Sequence, residues 1–102
     1  MYPKFGYNLF MVKNVRITKK AQKDLKNVPI YVAVNLHKWV DDIEERGLEE
    51  VRKVKSYHDE PVKGKRKGQR SIRLTKAYRA FYRIIKEGNM VVEIQEVNKH
   101  EY

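Results

Sequence analysis

The stretch that decides the fold is residues 70–97, RSIRLTKAYRAFYRIIKEGNMVVEIQEV. Apolar and polar residues alternate from Arg70 to Thr75, and a segment rich in aromatic and β-branched residues follows from Ala77 to Ile85. Glu87, Gly88 and Asn89 are typical of a hairpin turn, and Met90 to Val97 is typical of a further strand. The pattern predicts three strands joined by short links, for which antiparallel pairing is the default.

The residues before this stretch predict one strand and a helical hairpin. Asn14 to Thr18 alternates like a half-buried strand, and Thr18 can then cap a first helix. A second helix is predicted from about Ile30 to Arg46, because its apolar residues recur every three or four positions, and Gly47 favours a stop. Leu48 to Val54 can add a short helical piece. The predicted class is α+β: an N-terminal strand and a helical hairpin packed on a small, twisted, largely antiparallel sheet.

Length and composition favour a single small domain. The chain has 102 residues, of which 41% are hydrophobic, so it can bury one core but not two. We expect residues 11–102 to form this domain and residues 1–10 to be a loose extension. No apolar run approaches the roughly 18 residues that span a bilayer, and cysteine is absent, so we expect a cytoplasmic protein with no membrane partner.

The positive charge is concentrated in one segment. The chain has 23 basic and 13 acidic residues, and residues 61–86 contain ten of the basic residues and no acid, so the remainder is balanced. Such a segment favours a polyanionic partner, and phosphate backbones are the commonest polyanions. The candidate RNA-binding residues within it are Lys63, Lys65, Arg66, Lys67, Arg70 and Arg83.

The sequence contains no recognisable metal or cofactor motif. The acidic residues between Asp41 and Glu50 lie on the solvent side of the predicted helix and just after its end, and basic residues are interspersed among them. We therefore expect a solvated, ion-paired face. His37, His58 and His100 are too dispersed for a zinc motif. We therefore expect no cofactor and no metal ligands.

The remaining chemistry is metal-free cleavage of RNA through its own 2′-hydroxyl, or binding alone. Cleavage needs a base, an acid and cations that stabilise the pentacoordinate phosphate. Arg73 and Arg79 are predicted on adjacent strands, and guanidinium groups match phosphate oxygens. The candidate acid, base and orienting residues are His58, His100 and Tyr102.

Plainer interpretations of the same residues remain open. Arg79 and Arg83 could be exposed strand residues whose charge only lowers the tendency to aggregate. His100 and Tyr102 lie at the end of the chain, where residues are commonly poorly ordered. Tyr78, Phe81 and Tyr82 are expected to pack in the core or on the sheet, although one of them could stack on a base.

The chain resembles the RelE/ParE toxin superfamily of bacterial toxin–antitoxin systems, and within it the HigB-like messenger-RNA endonucleases. The resemblance lies in the order of a strand, a helical hairpin, VKGKRKGQRSIRL (62–74), AYRAFYRI (77–84) and VVEIQEVNKHEY (91–102), and it covers about Val12 to Tyr102. It implies a toxin that enters the ribosomal A site, cleaves the messenger there without a metal, and is silenced by a cognate antitoxin.

The resemblance also implies roles for single residues. Arg79 matches the arginine at the scissile phosphate, and Arg73 matches a basic residue on the preceding strand. His100 and Tyr102 match an acid–base position and a terminal tyrosine. Lys63 matches the lysine of an "LKG" turn, and His58 a histidine that some HigB-like members have before it.

Departures from the pattern leave two other functions open. Ser71 stands where relatives often have a lysine, and many relatives continue past the terminal tyrosine, so the general base is not identified. A ParE-like inhibitor of DNA gyrase needs no acid–base set and is the first alternative. A passive RNA-binding module is the second.

Overall fold

The computed structural model describes residues 12–66 and 68–99. The expected extension over residues 1–10 lies outside the described residues. The elements, in order, are β1 (Asn14–Ile17), α1 (Lys19–Leu25), α2 (Ile30–Arg46), α3 (Leu48–Arg52), β2 (Glu60–Pro61), β3 (Arg70–Arg73), β4 (Tyr78–Glu87) and β5 (Asn89–Lys99), with single 3-10 turns at Lys55–Tyr57 and Gly64–Arg66.

The helices begin and end where local sequence signals place them. Thr18 accepts a hydrogen bond from the backbone N–H of Ala21 at 3.1 Å, as an N-cap should. Gly47 follows α2 with a φ of 87°, a left-handed conformation that favours glycine. The predicted bounds of α2 are therefore confirmed, and the short helical piece after it is present but ends at Arg52 rather than at Val54. No helix within the described ranges is long and apolar enough to cross a membrane.

The five strands form one mixed sheet in the order β1-β5-β4-β3-β2. Strands β2 to β5 pair antiparallel with their neighbours, and β1 pairs parallel with β5. The predicted α+β class and its largely antiparallel sheet are confirmed. Two features were not predicted: the edge strand β2, and a bulge at which Phe81 faces Glu96 while Tyr82 faces Ile94. Gln95 is the extra residue in this bulge.

The core lies between the helices and one face of the sheet. Its helical side chains include Leu36, Trp39 and Ile43, and its strand side chains include Tyr82 and Ile94, all fully buried. The rings of Trp39 and Tyr82 pack with their centroids 5.1 Å apart. Since strand side chains alternate between faces, the intervening residues of β3, β4 and β5 lie on the face away from the helices. We call this the outer face.

A buried carboxylate joins the segment after α3 to two strands. The side chain of Asp59 is fully buried, and its oxygens accept hydrogen bonds from Arg70 Nε at 2.6 Å and from the Tyr82 hydroxyl at 2.5 Å. We call these three residues the Asp59 clamp. Because Asp59 immediately precedes β2, the clamp holds this two-residue strand against β3.

Removal of the Asp59 carboxylate should destabilise the fold. Asp59→Ala leaves the Arg70 charge and the Tyr82 hydroxyl without their partner, so we expect the free energy of unfolding to fall by about 3 kcal/mol. Urea titration of the native chain, Asp59→Ala and the control Asp41→Ala measures this. Asp41 is exposed on α2, and its replacement should change stability by less than about 0.5 kcal/mol. Equal stability of the two variants would contradict the clamp.

The clamp also predicts how stability depends on alkaline pH. Burial, and then the Asp59 carboxylate, raise the pKa of Tyr82 above its ordinary value. A tyrosine in the unfolded chain titrates near about pH 10. The stabilisation of the folded state by the protonated Tyr82 hydroxyl is therefore complete below that pH and is lost as the pH rises above it. We expect Tyr82→Phe to lose less unfolding free energy than the native chain between pH 8 and 11. Burial, and then Asp42, raise the pKa of Tyr57 to about 12, so a smaller loss should remain. Identical losses in both chains would contradict this account.

Candidate functional site

Two arginines face each other across the outer face of the sheet. Arg73 on β3 pairs in register with Arg79 on β4, and Arg79 pairs with Asn98 on β5. Directly opposed residues have Cβ atoms about 5 Å apart, so the two guanidinium groups can converge on one anion. The expectation that Arg73 and Arg79 lie on adjacent strands is confirmed, and their role stays a prediction.

A carboxylate from β2 lies next to this pair. Glu60 Oε1 is 3.7 Å from Arg79 Nη1, and the Glu60 side chain is 58% exposed whereas that of Arg79 is 25% exposed. Glu60 reaches this position because it pairs in register with Ser71 on β3. The site therefore combines a half-buried cation with a carboxylate that solvent can reach.

Glu60 and Arg79 line a cleft of about 390 Å³ on the outer face, which we call the Arg79 cleft. Lys63 contributes a second cation, and Ser71 and Phe81 contribute to the wall. Ser71 is 2% exposed and neutral, so it adds no charge to the cleft. The cleft is open, positively charged and large enough for a phosphate with part of a sugar.

The aromatic residue of the cleft is covered on one side by an arginine. Arg66 lies over the Phe81 ring, with its guanidinium carbon 4.1 Å from the ring centroid. Arg66 also pairs with Glu96 at 2.6 Å and donates to Gln69 Oε1 at 3.1 Å. The structure therefore gives Arg66 a packing role on Phe81 besides any contact with RNA. Tyr82 is buried in the core, as expected, and the partly buried Tyr78 packs against the core.

The basic segment is partly neutralised by the chain's own acids. Arg66 pairs with Glu96, Arg70 with Asp59, and Arg79 more distantly with Glu60. Acids from outside the segment therefore fold onto it and offset part of its charge. Within residues 12–66 and 68–99, Lys63 of the cleft and the nearby Lys65 and Arg73 of the same segment form no ion pair with a carboxylate.

The structure separates His58 from the cleft. It follows the 3-10 turn at Lys55–Tyr57 with a φ of 49°, it is exposed, and it does not line the Arg79 cleft. His100 and Tyr102, predicted as catalytic residues, and Lys67, predicted to bind RNA, lie outside the described residues. Their roles stay predictions.

The acidic run along α2 has one member with a structural role. Asp42 accepts a hydrogen bond from the Tyr57 hydroxyl at 2.6 Å and pairs with Arg46 at 3.4 Å. Asp41, Glu44 and Glu45 are exposed, as expected of a solvated face. In the part of the chain that the structure describes, no three metal-ligating side chains converge.

Sequence reasoning missed Glu60. The basic segment is defined by its lack of acids, and Glu60 lies one residue before it. The available signal was the dipeptide Glu60-Pro61, because a residue before proline favours extended backbone and could have been assigned to a strand. What the sequence could not show was the register that brings Glu60 to Arg79.

Several solved structures share this fold. The toxin YafQ from E. coli strain BL21(DE3) matches with a TM-score of 0.67 at 13% identity, over 85% of this chain and 92% of that chain. The RelBE2 toxin–antitoxin complex of Mycobacterium tuberculosis gives 0.61 at 23% identity, over 85% and 96%. A YoeB/ParE toxin from Agrobacterium tumefaciens gives 0.62 at 19% identity, over 86% and 99%. At these identities the likeness concerns the fold alone.

The sequence itself also matches a family model. No curated protein matches the chain by sequence. Residues 15–101 match the model described as the ParE toxin of the type II toxin–antitoxin system parDE. This match spans most of the chain, including both strands of the arginine pair. The chain therefore belongs to the ParE toxin family, within the RelE/ParE superfamily of type II toxin–antitoxin systems.

Proposed function

We propose that this toxin is a metal-independent endoribonuclease that cleaves messenger RNA on the ribosome and so inhibits translation. The observation that supports it most is the pairing of Arg73 with Arg79 beside Glu60. Like charges directly opposed on a sheet destabilise it. A bound phosphate would turn this repulsion into attraction.

The arginines would bind the scissile phosphate. Guanidinium groups donate paired hydrogen bonds to phosphate oxygens, and their attraction grows as the pentacoordinate phosphate gains negative charge. Arg79 is only 25% exposed, so the field at its guanidinium is less screened than at a fully solvated cation. Lys63 at the rim would hold an adjoining phosphate.

Glu60 would be the general base. Its carboxylate lies at the cleft, where it can accept the proton of the 2′-hydroxyl as the 2′-oxygen attacks phosphorus. The bond from phosphorus to the 5′-oxygen breaks, which leaves a 2′,3′-cyclic phosphate on one product. The departing 5′-oxygen needs a proton, which His100, our predicted acid or base, would supply as the acid. Tyr102 stays our prediction for the residue that orients the substrate or a base.

A gyrase inhibitor without nuclease activity is the competing function within this family. Such a protein needs a docking surface but no base, acid or phosphate-binding pair. The Glu60 carboxylate next to Arg79 therefore supports cleavage over docking alone. Intact messenger together with a DNA-damage response on expression would favour the gyrase inhibitor.

We infer that a cognate antitoxin neutralises the toxin. The neighbouring folds include the E. coli DinJ–YafQ toxin–antitoxin complex, with a TM-score of 0.63. For this chain, the inference rests on the cations that lack carboxylate partners near the cleft. An antitoxin segment carrying acids would complement Lys63, Lys65 and Arg73 and would block access to Arg79.

Replacing the phosphate-binding arginine should abolish cleavage. We expect Arg79→Ala to lower the cleavage rate by about 10²- to 10³-fold, because one preorganised charge at the transition state is lost. Primer extension on a defined messenger in a translating extract measures this, with and without ribosomes. Arg46→Ala is the matched control, since Arg46 lies on α2 and pairs with Asp42. Undiminished cleavage by Arg79→Ala would contradict the assignment.

Replacing the proposed base should separate chemistry from binding. Glu60→Gln keeps the size of the side chain and removes its charge, so we expect a rate loss of about 10²- to 10⁴-fold. Binding to a 2′-O-methyl oligonucleotide, which lacks the attacking hydroxyl, should be unchanged or tighter. Glu44→Gln on α2 is the control. Full activity of Glu60→Gln would exclude it as the base.

A further inference from the structure

A second basic cleft lies beside the Arg79 cleft and has no role in the proposed reaction. It encloses about 350 Å³, and its cations are Arg52 from the end of α3, Arg70 from β3 and Arg83 from β4. Pro61 of β2 lines this cleft and the Arg79 cleft, so the two adjoin across the edge strand. We call the second one the Arg52 cleft.

The three guanidinium groups are not fully neutralised. Arg70 has the buried carboxylate of Asp59. Arg83 donates to the neutral amide oxygen of Gln95 at 3.3 Å, while Glu93, its cross-strand neighbour, pairs with Arg16. Arg52 forms no ion pair within the described ranges, although Glu49 lines an adjoining depression together with Arg52 and Arg70. The cleft therefore keeps an excess of positive charge.

A glycine allows the backbone at the wall of this cleft to lie against the Arg83 side chain. Gly68 has a φ of 94°, and a Cβ at this position would lie 2.9 Å from Arg83 Nη1. Any larger residue would force the arginine or the loop to shift. The loop is also fixed by hydrogen bonds from Val62 N to Gln69 O at 3.0 Å and from Gln69 N to Arg66 O at 2.9 Å.

The position of the Arg52 cleft suits a phosphate other than the one that is cut. Arg79 and Arg83 lie four residues apart on β4, which corresponds to about 13 Å along the strand, and the even spacing puts both on the outer face. A flexible nucleic-acid strand of a few nucleotides can pass from one cleft to the other around Pro61.

We propose that the Arg52 cleft is a second binding site for a backbone phosphate of RNA. The identity of the ligand rests on the proposed function, whereas the site rests on the three guanidinium groups. The phosphate comes either from the strand that is cut or from the RNA of the ribosome. Both sources present the same group, and two binding probes distinguish them.

The test measures binding without cleavage. The first probe is a fluorescent 2′-O-methyl oligonucleotide of about 12 nucleotides, and the second is vacant ribosomes. The variants are Arg52→Gln and the control Arg46→Gln, which removes the same charge from an exposed position on α2. Affinity is measured over a series of salt concentrations, and circular dichroism checks the fold.

We expect Arg52→Gln to weaken binding about threefold and to reduce the slope of log affinity against log salt by about 0.7, the value for one phosphate contact on a single strand. An effect on the oligonucleotide assigns the phosphate to the cleaved strand, and an effect on ribosomes alone assigns it to ribosomal RNA. If Arg52→Gln matches Arg46→Gln with both probes, the site does not exist. Because neither probe is cut, this result is independent of whether Arg79→Ala abolishes cleavage.

Discussion

The buried carboxylate of Asp59 is the interaction on which the candidate site depends. It holds Arg70 on β3 and the Tyr82 hydroxyl on β4, and the ring of Tyr82 packs on Trp39 of α2. The clamp thereby links the segment before β2 to both the sheet and the helical layer. Without it, a two-residue edge strand would have little to keep it in register. Glu60 lies beside Arg79 only because that register is fixed.

One pair of opposed like charges on the outer face costs stability in the free protein. Arg73 and Arg79, which repel each other, oppose one another where β3 ends and β4 begins, while farther along the strands opposite charges are in contact. Arg66 pairs with Glu96, Arg16 with Glu93 and, more distantly, Arg79 with Glu60, whereas Arg73 forms no ion pair within the described residues. A charge arrangement that costs stability in the free protein is expected where an anion must bind.

Local features of the sequence predicted the elements, and long-range contacts decided the site. The N-cap Thr18 and the stop at Gly47 depend on neighbouring residues, so the helices could be placed from the sequence. The strand β2, the bulge at Gln95 and the contact between Glu60 and Arg79 depend on register, which no local pattern reveals. The burial of Ser71 also depends on register, because β2 pairs with β3 at this residue.

The chemical ends of the cleaved messenger test the central claim most directly. If Glu60 activates the 2′-hydroxyl while Arg73 and Arg79 hold the phosphate, the upstream fragment must end in a 2′,3′-cyclic phosphate and the downstream fragment must begin with a 5′-hydroxyl. Enzymatic end-labelling of fragments from a ribosome-bound messenger distinguishes these ends. A 3′-hydroxyl with a 5′-phosphate would show that water attacked instead, and would contradict the mechanism drawn from this cleft.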